Sequence, residues 1–204
     1  MTGVQTCALP IFDHLDKADR LVFDLDPGPG TGWSDVVAAA RDVRARLEQI
    51  KLKTVLKTSG GKGLHVYVRI RPEHGFKDVR RAALAFAREV ERRTDDVTTT
   101  WWRKDRDPTK LFVDYNQNAR DHTIAAAYSV RGNPEGTVST PIRWDEVDDV
   151  HPRDCTIATV PARYAEIGDL HAGIDQAVFD VAPLLAWAER DEREGAETPP
   201  EPET

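Results

Sequence analysis

Cysteine is scarce in this chain, whose 204 residues include only Cys7 and Cys155, too few for a disulfide framework or a cysteine metal site. Long apolar runs are missing as well, since no stretch approaches the roughly 20 residues of a membrane-spanning helix. No signal-peptide pattern is visible. These absences argue against a disulfide-stapled secreted scaffold and against a membrane protein. We therefore expect a protein of a reducing cytoplasm that has no membrane partner.

Positive charge is also scarce, because 28 Lys and Arg residues face 35 Asp and Glu residues, a formal net charge of −7. Most of the excess lies at the acidic end, where residues 189–204 hold seven acidic and two basic side chains. The preceding cations are grouped, and such groups can form a local positive face whatever the total charge. The groups are Lys51, Lys53, Lys57 and Lys62, then Arg80, Arg81, Arg88, Arg92 and Arg93, then Arg103, Lys104, Arg106 and Lys110.

The length and the 40% hydrophobic content predict one compact domain with one core, which we place at residues 12–192. Residues 1–11, MTGVQTCALPI, differ in character from the rest of the chain, and we interpret them as a non-native start. The proline- and glutamate-rich residues 193–204 are predicted to be a disordered acidic tail, because they have nothing to bury.

Hydrophobic periodicity predicts an α+β fold with a mixed or antiparallel sheet, like the ferredoxin or RNA-recognition arrangement. The order strand–helix–strand–strand–helix–strand carries this prediction. The predicted helices are 34–50, with Ser34 as N-cap, 76–93 and 181–192. Besides a first strand within residues 20–30, the predicted strands are 52–57, 64–70, 110–115, 123–130 (paired with 110–115) and 138–142.

The sequence RLVFDLDPGPG, residues 20–30, predicts a short strand that ends abruptly at Pro and Gly. Side chains two apart on a strand share a face, so Asp24 and Asp26 project together while Phe23 and Leu25 point the opposite way. Two adjacent carboxylates repel each other, and a divalent cation with oxygen ligands is the usual remedy. A pair of capping or turn aspartates is the structural alternative.

Two further segments could converge on the same face. The glycines of SGGKGLH, residues 59–65, let backbone N–H groups approach an anion, although a glycine-rich hairpin turn explains the letters about as well. Lys62 adds charge to this loop, and Ser59 and His65 add hydrogen-bond donors. Asp114 is a single carboxylate bounded by apolar residues in FVDYNQN. Three carboxylates beside an anion-binding loop are the layout that two-metal phosphoryl transfer needs.

The segments DRLVFDLDPG, KTSGGKGLHV and LFVDYNQN resemble, in order and spacing, the three motifs of the archaeo-eukaryotic primase superfamily. More narrowly, the chain is similar to the polymerase domain of bacterial DNA ligase D and its stand-alone relatives. The similarity extends to about residue 190. It implies an RNA-recognition-like primase-polymerase core flanked by helices. Family members carry an upstream portion that this sequence lacks, so we expect an N-terminally truncated catalytic domain.

The resemblance implies that Asp24, Asp26 and Asp114 are the catalytic residues and bind two divalent cations, Mn²⁺ or Mg²⁺. It also implies a nucleoside triphosphate substrate and template-directed addition to a 3′ end in break end joining or short gap filling. Gapped or broken DNA, Ku and a DNA ligase are the implied partners, at the bacterial nucleoid. The implied nucleotide-binding residues are Ser59, Lys62, His65, Gln117 and Arg131.

Two alternatives to this function stay open. A haloacid-dehalogenase-like phosphatase also has an apolar strand ending in Asp-x-Asp, with Thr58 or Ser59 in place of its second motif, although Pro27 stands where that family has Gly. The other alternative is an inactive nucleotide-binding fragment that keeps the carboxylates without turnover.

Overall fold

The computed structural model describes residues 15–200. The interpreted non-native start at residues 1–11 lies outside this range. Within it, the chain alternates strands and helices as the periodicity predicts, and none of the described helices is long and apolar enough to cross a membrane. The elements are β1 (Arg20–Asp26), α1 (Trp33–Gln49), β2 (Val55–Thr58), β3 (Leu64–Arg69), α2 (Phe76–Glu91), β4 (Val97–Thr98), β5 (Leu111–Asp114), β6 (Pro141–Ile142), α3 (Val160–Ile167) and α4 (Ala182–Arg193).

The strands form one six-stranded sheet in the order β4-β5-β1-β3-β2-β6. Every neighbouring pair is antiparallel except β4 and β5, which are parallel. The predicted mixed α+β architecture is therefore confirmed. β1 lies near the middle, so the two aspartates of the first motif have a strand on either side of them.

One face of the sheet is covered by helices. Phe23 of β1 and Val66 of β3 are fully buried there, as the predicted alternation requires. Phe86 of α2 packs on Phe23 with ring centroids 4.7 Å apart, and Trp187 of α4 stacks on Phe86 with centroids 6.4 Å apart. α1 buries the predicted stripe Val36, Ala40, Val43 and Leu47 in the same core. The opposite face carries the polar side chains of β1 and β3.

The predicted strand 123–130 is wrong. Both edges of β5 are already occupied, by β1 and by β4, so no edge is left for it to pair with. Tyr128 has a positive φ of 65°, which breaks an extended path. The end of the segment pairs instead with the chain before β6, through N–H of Arg131 to the carbonyl of Thr137 and N–H of Ser139 to the carbonyl of Ser129.

Two smaller differences concern the helices. α1 begins at Trp33 with Gly32 as N-cap, two residues before the expected N-cap Ser34, and the carboxylate of Asp35 accepts the N–H of Gly32 at 2.6 Å. Periodicity also missed α3, an eight-residue helix with a proline in its first turn and Gly168 at its C-cap. Proline at the start and glycine at the end were the available signals.

Beyond α4, the described part of the tail runs along α2. Arg80 donates from Nη1 to the carbonyl of Pro199 at 3.2 Å and from Nη2 to that of Pro200 at 2.9 Å. The division of the chain at residues 11 and 192 and the disorder of the tail stay predictions.

Candidate active site

Asp24 lies at the centre of a row of polar side chains that crosses four strands. The antiparallel register places it opposite His65 of β3 on one side and opposite Asp114 of β5 on the other. Lys57 of β2 lies opposite His65 and extends the row. Directly opposed residues on neighbouring strands share a face, so the four side chains lie together on the face away from the helical core.

The three carboxylates repel one another. Burial, assisted by the negative charge of Asp24, raises the pKa of Asp114 to about 6. The backbone N–H of Asn116 donates to Oδ1 of Asp114 at 2.7 Å and acts to lower this pKa, but its effect is smaller than that of burial. The pKa of Asp26 is also raised, first by desolvation and then by Asp24. The site therefore holds more negative charge than its surroundings stabilise, which favours a bound cation.

Oxygen is the only donor type that these carboxylates offer, and it suits a hard divalent ion. Among residues 15–200, no three His, Cys, Asp or Glu side chains form a group that could hold a metal ion by themselves. Such a group is not required, because Mg²⁺ is usually bound through one or two carboxylates and completed by waters and substrate phosphates. Asp24, Asp26 and Asp114 therefore fit an open cation site that a phosphate-bearing substrate would complete.

His65 and Lys57 are buried beside Asp24. Nε2 of His65 is 3.4 Å from Oδ1 of Asp24, and Nδ1 lies 2.7 Å from Nζ of Lys57. Burial lowers the pKa of His65, opposed by the charge of Asp24. Burial likewise lowers the pKa of Lys57 to about 7, and the charge of Asp24 opposes that shift. A lysine with no exposed surface is unusual, because desolvating an ammonium group is unfavourable.

The loop between β2 and β3 is shaped by its own serine. Oγ of Ser59 accepts N–H groups from Gly61 and Gly63, both at 3.1 Å. Gly63 is required because a Cβ there would lie 2.2 Å from the carbonyl oxygen of Leu25, next to the two aspartates. Lys62 is exposed, and its charge acts to lower the pKa of Asp26. The predicted loop residues thus lie beside the predicted carboxylates.

The remaining two predicted residues come from later segments. Gln117 lies in a short 3₁₀ turn directly after β5, and its buried Oε1 has no hydrogen-bond partner among the described residues. Arg131 packs against the loop, since a Cβ added at Gly60, which has a positive φ of 70°, would lie 2.7 Å from its Cγ. The charge of Arg131 also lowers the pKa of both Lys57 and His65.

Two further cationic residues, Lys57 and Arg106, border the site, and neither was predicted to have a role in it. Arg106 donates from Nε to the carbonyl of Thr100 at 2.9 Å, and its guanidinium lies 3.3 Å from the ring centroid of Phe112. Its charge acts to lower the pKa of both Asp26 and Asp114. A charged residue within the short apolar strand β2 was the available signal for Lys57. For Arg106, the available signal was its place among the clustered cations of residues 103–110, which directly precede the third motif.

A family model described as LigD, primase-polymerase domain, matches residues 4–171. The chain belongs to this family. The resemblance predicted from the three motifs is thereby confirmed, and membership in the LigD primase-polymerase family does not favour the phosphatase alternative.

Individual relatives agree with this assignment. The chain is 35% identical to the "Multifunctional non-homologous end joining protein LigD" of Mycolicibacterium smegmatis over 182 residues. The aligned residues make up 89% of this chain and 24% of that protein. The corresponding Pseudomonas aeruginosa protein is 32% identical over 155 residues, 76% of this chain and 18% of that protein. The chain spans about a quarter of the length of the first relative and less of the second.

A solved structure shows the same fold. The "Polymerase Domain from Mycobacterium tuberculosis Ligase D in complex with DNA" matches with a TM-score of 0.73 at 36% identity, over 78% of this chain and 56% of that one. The LigD primase-polymerase fold predicted from the sequence is confirmed by this match.

Proposed function

We propose that this chain is a template-directed nucleotidyltransferase that adds nucleotides to a DNA 3′ end during double-strand-break end joining or short gap filling. The observation that carries the proposal is the row of Lys57, His65, Asp24 and Asp114 across four strands, beside a glycine loop. It joins carboxylates suited to cations with His65 and the glycine loop, whose donors suit phosphate. Relatives named as end-joining proteins and a neighbour solved with DNA support the choice of reaction.

In this function Asp24, Asp26 and Asp114 would hold two divalent cations, Mn²⁺ or Mg²⁺. Such ions, when bound, activate the attacking 3′-hydroxyl and neutralise the charge that develops on the leaving pyrophosphate. The carboxylates themselves fix where the reacting groups meet, because β-strand register holds Asp24 and Asp114 opposite each other. The raised pKa of Asp114 shows that, without a cation, the folded protein disfavours the ionised form of this carboxyl group.

The substrate would be a nucleoside triphosphate whose phosphates lie along the glycine loop. Lys62 supplies an exposed ammonium, and His65 supplies an N–H beside Asp24. Oε1 of Gln117, which is buried and has no hydrogen-bond partner among residues 15–200, would accept from a donor group of the nucleotide. Ser59 and Arg131 complete the set, the first by holding the loop and the second by lying against it.

DNA is the proposed polymeric partner. Trp102 is 57% exposed, and Arg103 and Lys104 follow it on the surface. The charge of Arg103 acts on Asp26, so this segment borders the site. An exposed aromatic side chain next to cations is the combination that binds single-stranded nucleic acid through base stacking and phosphate contacts. Ku, a DNA ligase and a nucleoid location complete the proposal.

Primer extension on a gapped duplex, run separately with Mn²⁺ and Mg²⁺, tests the function. We expect the wild-type chain to extend the primer by templated nucleotides and Asp24→Asn to show no extension. Asp145→Asn, which changes a carboxylate whose side chain is 81% exposed, is the matched control and should extend normally. Phosphate release from the nucleotide without primer extension would contradict the proposal. Nucleotide binding without extension by the wild-type chain would leave a binding module only.

A further inference from the structure

Lys57 lies behind His65, on the side away from the carboxylates. Its Nζ contacts Nδ1 of His65 at 2.7 Å and Oγ of Ser139 at 2.6 Å, and it lies 5.5 Å from the ring centroid of Tyr67. The residue has no exposed surface. Lys57 therefore cannot contact a substrate directly, and any part that it plays passes through its neighbours.

The hydrogen-bond donors in this cluster can be assigned. Oγ of Ser139 donates its one proton to the carbonyl of Thr58 at 2.8 Å, so it must accept from Lys57. In its ammonium form, which the charge of Asp24 favours, Lys57 has donors only, and one of them faces Nδ1 of His65. On the opposite edge of the ring, Nε2 faces a carboxylate oxygen of Asp24, which accepts and does not donate when ionised. Both neighbours select the same form of the ring.

We propose that Lys57 is a positioning residue for the proposed nucleotidyl transfer: its donation to Nδ1 fixes His65 as the tautomer that carries its proton on Nε2, directed towards Asp24 and the phosphates of the nucleotide. The inference rests on the proposed function for the identity of the ligand. The assignment of the tautomer does not depend on it.

A merely structural role for Lys57 predicts something different. A buried ammonium is expensive to desolvate, and an apolar side chain of similar shape in its place is often neutral or stabilising. Lys57→Met would then leave nucleotide binding unchanged. If Lys57 positions His65, the same variant folds but lets the ring exchange tautomers or turn, and the donor towards the phosphates is lost for part of the time.

The first measurement is the protonation of the His65 ring in the full chain. Long-range ¹H–¹⁵N correlation spectra of the metal-free protein should show an unprotonated Nδ1 and a protonated Nε2, with the resonances assigned by their loss in His65→Gln. In Lys57→Met, only the longer 3.4 Å contact with Asp24 still favours this tautomer, so both nitrogens should move towards averaged values. Ser139→Ala removes the other partner of Lys57 and is the matched control, expected to keep the wild-type tautomer.

The second measurement is the Kd of a fluorescent ATP analogue in the presence of Mg²⁺. Loss of an outer partner of a functional histidine costs about tenfold or more in affinity in metal sites, and we expect about a tenfold rise in Kd for Lys57→Met. The double variant Lys57→Met, His65→Gln should bind no more weakly than His65→Gln alone, because Lys57 acts through His65.

A proton on Nδ1 in the wild-type spectrum overturns the inference, including the case in which Lys57→Met does not fold. An unchanged Kd in a folded Lys57→Met, or losses that add in the double variant, also overturn it. If the wild-type chain does not bind the nucleotide at all, the proposed function fails, and the ring spectrum alone then decides whether Lys57 positions His65.

Discussion

Replacing Asp114 by Asn should stabilise the metal-free protein while abolishing primer extension. Burial and the charge of Asp24 raise the pKa of Asp114 from 3.8 to about 6. A raised pKa in a carboxyl group means that the folded state disfavours the ionised form. A shift of roughly two units corresponds to about 3 kcal/mol at neutral pH, at 1.36 kcal/mol for each unit. Asn keeps an oxygen that can accept the N–H of Asn116 and removes the charge. We expect a net gain of about 1–3 kcal/mol.

The raised pKa of Asp114 also determines how its contribution to stability changes with pH. Between about pH 4, where the unfolded state releases this proton, and about pH 6, where the folded state does, the folded state binds more protons than the unfolded state. The stability of the wild-type protein contributed by Asp114 therefore falls as the pH rises through this window. The advantage of Asp114→Asn should be near zero at pH 4 and complete above pH 7.

Urea unfolding in EDTA across this pH range measures the effect, with Asp107→Asn as control. Asp107 is an exposed carboxylate whose pKa is lowered by its hydrogen bonds from Thr109, so its replacement should not stabilise the protein as the pH rises. Added Mn²⁺ at about 100 times its Kd should stabilise the wild type by about 2.7 kcal/mol and Asp114→Asn by less. A less stable Asp114→Asn at pH 7.5 without metal, or a pH-independent difference, would refute the electrostatic reasoning.

Two other predictions separate the parts of the site. His65→Ala should weaken binding of nucleotide and leave DNA binding unchanged, whereas Trp102→Ala should weaken DNA binding by about 1–3 kcal/mol for the lost base stacking. Separate titrations with labelled nucleotide and labelled gapped DNA distinguish the two, and equal losses on both ligands in either variant would disprove the division. Gly63→Ala should destabilise the protein by about 1–3 kcal/mol, since its Cβ would meet the carbonyl of Leu25 at 2.2 Å. Gly132→Ala, with nothing within 4 Å, is its control in urea unfolding, and equal stability of the two variants would contradict the close contact.

Local periodicity predicted β1, α1 and α2 correctly. Strand geometry alone puts Asp24 and Asp26 on one face and Phe23 on the other, and the structure has this arrangement. The buried faces of α1 and α2 could be predicted for the same reason, because apolar residues repeated at a period of 3.6 lie on one side of a helix. The family could also be predicted from the sequence, because each of its three motifs is a contiguous stretch of residues.

The tertiary structure decided which strands are neighbours. The sequence pattern indicated that Asp114 could converge with Asp24 and Asp26, but only the register of β5 against β1 puts it opposite Asp24. The predicted strand at residues 123–130 failed for the same reason, since local propensity cannot show that β4 already occupies the free edge of β5. Lys57 looked like one of many surface cations, and its burial follows from β6, β3 and the segment of Ser139 closing around β2. Side-chain alternation depends only on neighbouring residues in the sequence. Strand order and burial depend on which distant segments compete for the same edge of a strand.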